Sequence, residues 1–164
     1  MIYPPHLKPG DTIGIFSPSY PATAIAPKRT QTAINFLEQK GYKILKGSLT
    51  GKNDFYRSGT IKERVNELNE LIENPEVKCI MAVLGGMVSN SMLPYINYEQ
   101  LKKTPKIITG YSDVTALLFG IYSMTGMIHF AKTSDEIYNY LSRLLYSTVK
   151  SYDGLQFSLL INIM

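Results

Sequence analysis

Several residue types are scarce in this chain, and each scarcity excludes a class of protein. Among the 164 residues there is no tryptophan, one cysteine and two histidines. A single cysteine excludes an intrachain disulfide, so this is not a disulfide-stapled domain. Cys79 lies in an apolar stretch and is predicted to be a buried core thiol.

Charge and long apolar runs are also limited. Charged residues make up 18% of the chain, and the net charge of +4 is too small and too scattered to predict nucleic-acid binding. The pair Lys102-Lys103, with Lys106 nearby, is typical of a solvated face. No apolar segment is long enough to cross a bilayer, and the N-terminus does not resemble a signal peptide. We therefore expect a cytoplasmic protein with no membrane partner.

The remaining composition, 45% hydrophobic, predicts one compact domain with a packed core. Short apolar runs alternate with amphipathic segments, which is typical of an α/β fold with a mostly parallel sheet and helices on both faces. The predicted strands cover residues 12–16, 42–45, 79–84 and 106–110, with a further one at 127–130. The predicted helices cover 27–40, a segment that opens at Thr60 and ends before Pro75, then 97–103 and about 113–124. The second begins with a capping box, Thr60-Ile61-Lys62-Glu63.

Polar turns follow three of these strands, after Phe16, Leu84 and Thr109. In a parallel sheet the carboxyl ends of the strands meet at one edge, where ligands bind. We therefore expect the three turns to lie close together. Ser112 or Asp113, in the third turn, is predicted to cap the helix that follows.

The most informative of these turns joins an apolar strand to Gly85-Gly86-Met87-Val88-Ser89. Glycines permit a sharp turn, and a serine just past it can project its hydroxyl from the sheet edge towards backbone N–H groups. This pattern predicts a nucleophile elbow with Ser89 at its tip. The alternative is an ordinary strand-to-helix turn whose serine only caps a helix.

Three motifs together resemble the LD-carboxypeptidase family, which includes the microcin C self-immunity peptidases. They are Lys8-Pro9-Gly10-Asp11-Thr12-Ile13-Gly14-Ile15 with Ser17-Pro18-Ser19, then Gly85-Gly86-Met87-Val88-Ser89-Asn90-Ser91-Met92-Leu93-Pro94-Tyr95, then Gly110-Tyr111-Ser112-Asp113-Val114-Thr115-Ala116-Leu117. The resemblance covers about residues 3–130. Its elbow is closer to the microcin-immunity branch, which usually carries asparagine where this chain has Val88.

The resemblance implies a flavodoxin-like or amidotransferase-like N-terminal domain and a serine hydrolase. By residue-to-residue correspondence Ser89 is the nucleophile, and the N–H groups of Gly86 and Asn90 form the oxyanion hole. Gly85, Ser112 and Asp113 would contribute to the substrate pocket. The resemblance implies neither a metal nor an organic cofactor.

The substrates implied by the resemblance are small molecules. Family members cleave the amide between an L- and a D-amino acid in murein peptides. The microcin-immunity members split the acyl-sulfamoyl or phosphoramidate link of an aminoacyl-nucleotide. A homodimer is also expected, because family members commonly dimerise.

The chain departs from the family pattern in its catalytic base. The family takes a glutamate and a histidine from a second, carboxyl-terminal domain, whereas here the resemblance ends near residue 130. We therefore predict a nucleophile domain at 1–130 and a short remnant at 131–164, and expect weak or absent activity. Neither His6, in a proline-flanked arm, nor His129, in a predicted strand, is a good candidate for the base. Glu99 and Asp113 lie near the motifs, but a carboxylate alone seldom activates serine.

Two alternatives to a hydrolase remain open at this point. The first is a non-catalytic binding module that keeps the peptide or aminoacyl-nucleotide pocket. The second is a generic nucleotide-binding domain, which ranks last because no Gly-x-Gly-x-x-Gly or Gly-Lys-Ser/Thr loop is present.

Overall fold

The computed structural model describes residues 2–127. They form four strands, five α-helices and one 3-10 helix, in the order β1 Thr12–Phe16, α1 Ala22–Ile25, α2 Pro27–Gln39, β2 Lys43–Lys46, α3 Ile61–Glu73, β3 Val77–Ala82, the 3-10 helix Ser89–Tyr95, α4 Tyr98–Lys103, β4 Ile107–Thr109 and α5 Val114–Thr125. Most of the predicted strand at 127–130 and the whole predicted remnant at 131–164 lie outside the described residues, so the domain division stays a prediction.

The strands form one sheet in the order β2-β1-β3-β4, and every strand pairing in the described part of the chain is parallel. The predicted α/β class is therefore confirmed, and the order is that of a flavodoxin-like sheet. The chain moves one way from β1 to β2 and the other way from β3 to β4. Right-handed crossovers then place α2 and α3 on opposite faces of the sheet. The reversal lies between β1 and β3, the position at which such sheets bind ligands.

Burial explains why these segments take these structures. Every residue of β1 is buried, as expected for a central parallel strand covered on both faces. Helix α3 is amphipathic and packs Val65, Leu68, Leu71 and Ile72 into the main hydrophobic core. Its predicted capping box is confirmed, since the Thr60 hydroxyl accepts the Glu63 N–H and the Glu63 carboxylate accepts the Thr60 N–H.

Two predictions about single residues need correction, and one is confirmed. Lys106 does not lie on a solvated face: it is buried, and its ammonium donates to the carbonyls of Asn74 and Val77 beyond the end of α3. Burial lowers the pKa of Lys106 to about 8. Asp113 stands at the N-cap position of α5, but its side chain makes no capping bond there. Cys79 is fully buried, as predicted, and burial raises the pKa of its thiol to about 12.

Among residues 2–127, none of the helices has the length and apolar character needed to cross a membrane. The cytoplasmic location expected from the sequence stays a prediction.

Candidate active site

The turns after β1, β3 and β4 meet at the carboxyl edge of the sheet, as expected. Val83 donates its N–H to the carbonyl of Phe16 at 2.9 Å, and Tyr20 donates to the carbonyl of Gly85 at 3.0 Å. The two glycines allow this approach. A Cβ on Gly86 would collide with the Ser19 hydroxyl, and one on Gly85 would lie 2.9 Å from the Asp113 nitrogen. The Gly-Gly pair therefore serves close packing of three turns.

Ser89 begins the 3-10 helix and is completely buried, with 0% of its surface exposed. Its hydroxyl donates a hydrogen bond to the backbone carbonyl of Asp113 at 2.7 Å. The sequence predicted a hydroxyl that projects from the sheet rim, and on this point the prediction was wrong. Because an amide carbonyl is not a base, this bond orients the hydroxyl without activating it.

The carboxylate of Asp113 is directed at the same turn. Its Oδ2 accepts the N–H of Val88 at 3.0 Å and the N–H of Ser89 at 2.9 Å. Charge-assisted bonds of this kind are stronger than those between neutral groups. Asp113 therefore fixes the backbone of the Ser89 turn through its carboxylate and the Ser89 hydroxyl through its carbonyl.

Ser19, which was not assigned a role from the sequence, supports the turn from the β1 side. Its buried hydroxyl oxygen accepts the N–H of Met87 at 3.1 Å and the N–H of Val88 at 3.2 Å. The signal that could have identified it is its place in the polar Ser17-Pro18-Ser19 loop at the carboxyl end of a buried strand.

Arg64, also missed, joins the loops around the turn from α3. The guanidinium is buried and donates to the carbonyls of Gly59, Pro18 and Val88 and to the Ser91 hydroxyl, at 2.8 to 3.2 Å. Burial lowers its pKa, but an arginine remains charged at any physiological pH. An arginine on the apolar face of an amphipathic helix was the available signal.

Glu67, one turn further along α3, joins the β1 turn to the loop after β2. Its buried carboxylate accepts the N–H of Ser17 at 2.9 Å and the N–H of Leu49 at 2.8 Å. Burial raises the pKa of Glu67 to about 7, although the two N–H bonds favour the charged form. Its protonation therefore changes near neutral pH.

The other predicted site residues lie around this buried centre. Gly86 and Asn90 are exposed on either side of Ser89. Ser112 is exposed and has a φ of +59°, the left-handed region that serine rarely adopts. The structure therefore brings Ser89 and Asp113 into direct contact and places Ser112 on the adjoining surface.

Within residues 2–127, none of the side chains considered as a base forms a hydrogen bond with the Ser89 hydroxyl, which Asp113 contacts through its backbone carbonyl. His6 is exposed on the N-terminal arm, and His129 lies outside the described residues. Glu99 is exposed and pairs with Lys102 at 2.9 Å. In this same part of the chain, no group of three or more His, Cys, Asp or Glu side chains is arranged to hold a metal ion.

Comparison with known proteins identifies the family of the chain. Residues 13–132 match the family model described as the LD-carboxypeptidase N-terminal domain. The chain is 58% identical over 121 residues to the microcin C7 self-immunity protein MccF of Escherichia coli, covering 74% of this chain and 35% of that protein. It is 26% identical over 99 residues to the murein tetrapeptide carboxypeptidase of Pseudomonas aeruginosa, covering 60% and 32% of the two chains.

Solved structures of MccF superpose on this chain as well. MccF without ligand gives a TM-score of 0.78 at 45% identity, covering 88% of this chain and 47% of that one. Another MccF structure, in complex with aspartyl sulfamoyl adenosine, gives the same TM-score, identity and coverage.

This chain thus spans less than half the length of these relatives. The match nevertheless includes the strands and turns that position Ser89, Asp113 and Ser19. On this evidence the chain belongs to the LD-carboxypeptidase family and contains its N-terminal domain.

Proposed function

We propose that this chain is the nucleophile-bearing part of a serine hydrolase that cleaves an aminoacyl-nucleotide or a small peptide, with Ser89 as the nucleophile. The observation that carries the proposal is the place of Ser89, on a turn at the reversal point of the sheet, fixed from three sides by Asp113, Ser19 and Arg64. Family membership adds the reaction class, acyl transfer to serine.

In the proposed reaction the Ser89 oxygen forms a bond to the acyl carbon of the substrate. The bond from that carbon to the leaving nitrogen then breaks, and the leaving group takes a proton. The N–H groups of Gly86 and Asn90 stabilise the oxyanion, and Gly85, Ser112 and Asp113 line the pocket. The base that accepts the Ser89 proton lies outside residues 2–127.

The hydroxyl has to leave its present partner before it can react. Its O–H bond is directed at the Asp113 carbonyl, whose oxygen lies 2.7 Å from the Ser89 oxygen, so the hydroxyl hydrogen has to turn to a base before the proton is transferred. The buried position supports slow or absent turnover by this chain without a base. Reactivity is therefore expected to depend on whatever supplies that base.

The relatives support a small substrate with an acyl group. MccF has been solved with adenosine monophosphate, aspartyl sulfamoyl adenosine and glutamyl sulfamoyl guanosine. The Pseudomonas relative is named for a murein tetrapeptide. The chain is 58% identical to MccF and 26% identical to the Pseudomonas relative. We therefore propose an aminoacyl-nucleotide as the first candidate substrate and a murein peptide as the second. A homodimer stays a prediction.

A fluorophosphonate probe tests the role of Ser89. Because Ser89 has no base in contact, we expect only slow labelling: prolonged incubation with excess probe should give an adduct that mass spectrometry locates on Ser89, none in Ser89→Ala, and the same slow adduct in Ser123→Ala. Ser123 is the matched control, because it is an exposed serine near the end of α5 and lies outside the three motifs. An adduct on Ser112, or labelling that persists in Ser89→Ala, would exclude Ser89 as the nucleophile.

A binding module that has lost its chemistry is the second candidate, favoured by the hydrogen bond from Ser89 to a carbonyl instead of a base. Calorimetry with aspartyl sulfamoyl adenosine and with a murein tetrapeptide separates the two. Binding without any adduct or turnover supports the module, and turnover by the purified chain excludes it.

A further inference from the structure

Two residues of the turn after β1 hold Gly86 from both sides. Tyr20 donates its N–H to the carbonyl of Gly85 at 3.0 Å, and the Ser19 hydroxyl oxygen accepts the N–H of Met87 at 3.1 Å. These bonds engage the two peptide groups that flank Gly86, one before it and one after it. Successive residues of one loop therefore fix both peptide planes around a glycine, whose backbone is otherwise the least restricted of any residue.

The first of these bonds determines the direction of the Gly86 N–H. The described residues contain no cis peptide bond, so the N–H and the carbonyl of each peptide group point in opposite directions. Since the Gly85 carbonyl points to Tyr20, the Gly86 N–H points away from the β1 turn. Gly86 is exposed, and within residues 2–127 its N–H has no acceptor. A fixed and unpaired donor is what an oxyanion hole requires.

Ser19 supplies the second bond from inside the fold. It is 1% exposed, and a Cβ on Gly86 would collide with its hydroxyl. In the described part of the chain it is the one acceptor of the Met87 N–H, whereas the Val88 N–H also has the Asp113 carboxylate at 3.0 Å. Loss of the Ser19 hydroxyl would therefore release the peptide group after Gly86, while Asp113 continues to hold Val88.

We propose that Ser19 is a positioning residue of the hydrolase: its hydroxyl fixes the peptide group after Gly86 and so keeps the Gly86 N–H directed at the oxyanion that forms at Ser89. This inference rests on the proposed function. Ser19 acts through Gly86 and does not touch the substrate. Because the oxyanion exists only during acyl transfer, Ser19 contributes to the rate of the reaction and not to the affinity for the substrate.

Ser17→Ala and Ser19→Ala form a matched pair for the test. Both serines lie in the loop after β1 and are 1% exposed, but the Ser17 hydroxyl has no hydrogen-bond partner among residues 2–127. Each variant removes one buried hydroxyl, and only Ser19→Ala removes an acceptor from the Ser89 turn. Circular dichroism establishes that both variants are folded.

The first measurement is the rate of the slow fluorophosphonate reaction with Ser89. The Ser89 oxygen bonds to phosphorus, fluoride leaves, the hydroxyl proton passes to the buffer, and negative charge develops on the phosphonyl oxygen. We expect Ser19→Ala to lower the labelling rate at saturating probe by about tenfold or more and to leave the half-saturating probe concentration unchanged. Ser17→Ala should react at the native rate. A distorted pocket would change both quantities, so the split between them distinguishes positioning from a general structural role.

The second measurement is amide hydrogen exchange followed by NMR. The Met87 N–H should exchange about tenfold faster in Ser19→Ala than in the native chain or in Ser17→Ala, because it loses its acceptor. Equal labelling rates in the native chain and Ser19→Ala, or an unchanged exchange rate at Met87, would overturn the inference and leave the proposed function intact. A native chain that forms no adduct on Ser89 would overturn the proposed function, and this inference with it.

Discussion

Two serine-bearing turns at the same sheet edge differ in almost every physical respect. The turn after β3 buries Ser89. It donates N–H groups to the Ser19 hydroxyl and the Asp113 carboxylate and accepts a hydrogen bond from the Arg64 guanidinium. The turn after β4 exposes Ser112 in a left-handed backbone conformation. The sequence predicted a sharp turn at Ser89, but the strained non-glycine residue lies in the second turn.

This comparison shows that the turn that positions the candidate nucleophile need not be the turn whose backbone is strained. The Asp113 carboxylate ties the second turn to the first, and one residue earlier the chain takes the strained conformation. The hydrogen bonds that the Asp113 carboxylate accepts therefore offset the cost of the strained backbone at Ser112. Such strain persists only where the surrounding contacts determine it. The following substitutions test this dependence.

The largest effect is expected from Arg64→Met, which removes the guanidinium that joins the loops at Pro18 and Gly59 to the Ser89 turn. Several buried carbonyls would lose their donor, so we expect the free energy of unfolding to fall by about 3–5 kcal/mol. Urea denaturation measures it. Lys62→Met, an exposed change on the same helix, should cost little. A loss below about 1 kcal/mol for Arg64→Met would show that the turn does not depend on this residue.

A pH-dependent effect is expected from Glu67, which supports the β1 turn that carries Ser19. Its folded-state pKa of about 7 lies above the ordinary value of 4.5, so the folded state binds the proton more tightly. The stabilisation that the folded state gains by binding this proton is complete below pH 4.5 and is lost as the pH rises through 7. The total loss is about 3 kcal/mol at about 1.4 kcal/mol per pKa unit.

Urea denaturation from pH 4.5 to 8 measures this contribution as the difference between the native chain and Glu67→Gln. The nearby charges are Glu70, which raises the pKa, and Lys52, which lowers it. Glu70→Gln is therefore the matched control and should keep most of the pH dependence. Equal slopes for the native chain and Glu67→Gln would contradict the assignment.

A smaller effect is expected from Asp113→Ala, which leaves the N–H groups of Val88 and Ser89 without their acceptor. We expect a loss of about 2 kcal/mol in the free energy of unfolding. Asp11→Ala, which removes an exposed carboxylate that accepts one N–H, from Lys8, should cost less. If the two variants lose the same stability, Asp113 does not hold the Ser89 turn.

The smallest effect is expected from Ser112→Gly, which relieves the left-handed backbone at φ +59°. Because glycine tolerates this conformation, we expect stability to rise by about 0.5 kcal/mol despite the extra freedom of the unfolded chain. Ser48→Gly, at an exposed turn position without positive φ, should instead lower stability. Thermal unfolding of both variants makes the comparison. Equal changes would mean that Ser112 carries no strain.

Much of the fold was predictable because local patterns carried it. The strand at Thr12–Phe16 and the capping box at Thr60 were predicted at their observed positions. Boundaries differed by one or two residues elsewhere, as at β3, where the prediction began at Cys79 and the strand begins at Val77. Hydrophobic periodicity predicts which residues are buried, but it does not predict where the hydrogen bonds between neighbouring strands end.

The site was predictable only in outline. The sequence predicted that the polar turns share one edge of the sheet and named Ser89 and Asp113 as site residues. It did not indicate that the Asp113 carboxylate accepts two N–H groups 24 and 25 residues away. Arg64 and Glu67 were missed for the same reason. Their partners are backbone carbonyls and N–H groups of distant loops, and no sequence motif predicts hydrogen bonds of this kind.

What the sequence by itself determined is therefore the order of the elements and the edge at which the polar turns collect, since both follow from hydrophobic periodicity and parallel topology. Only the tertiary structure decided that the Ser89 hydroxyl is buried against a carbonyl, and that Ser112 takes a left-handed conformation. These outcomes depend on contacts between loops far apart in the chain. The energies of such contacts compete with local preference and can override it.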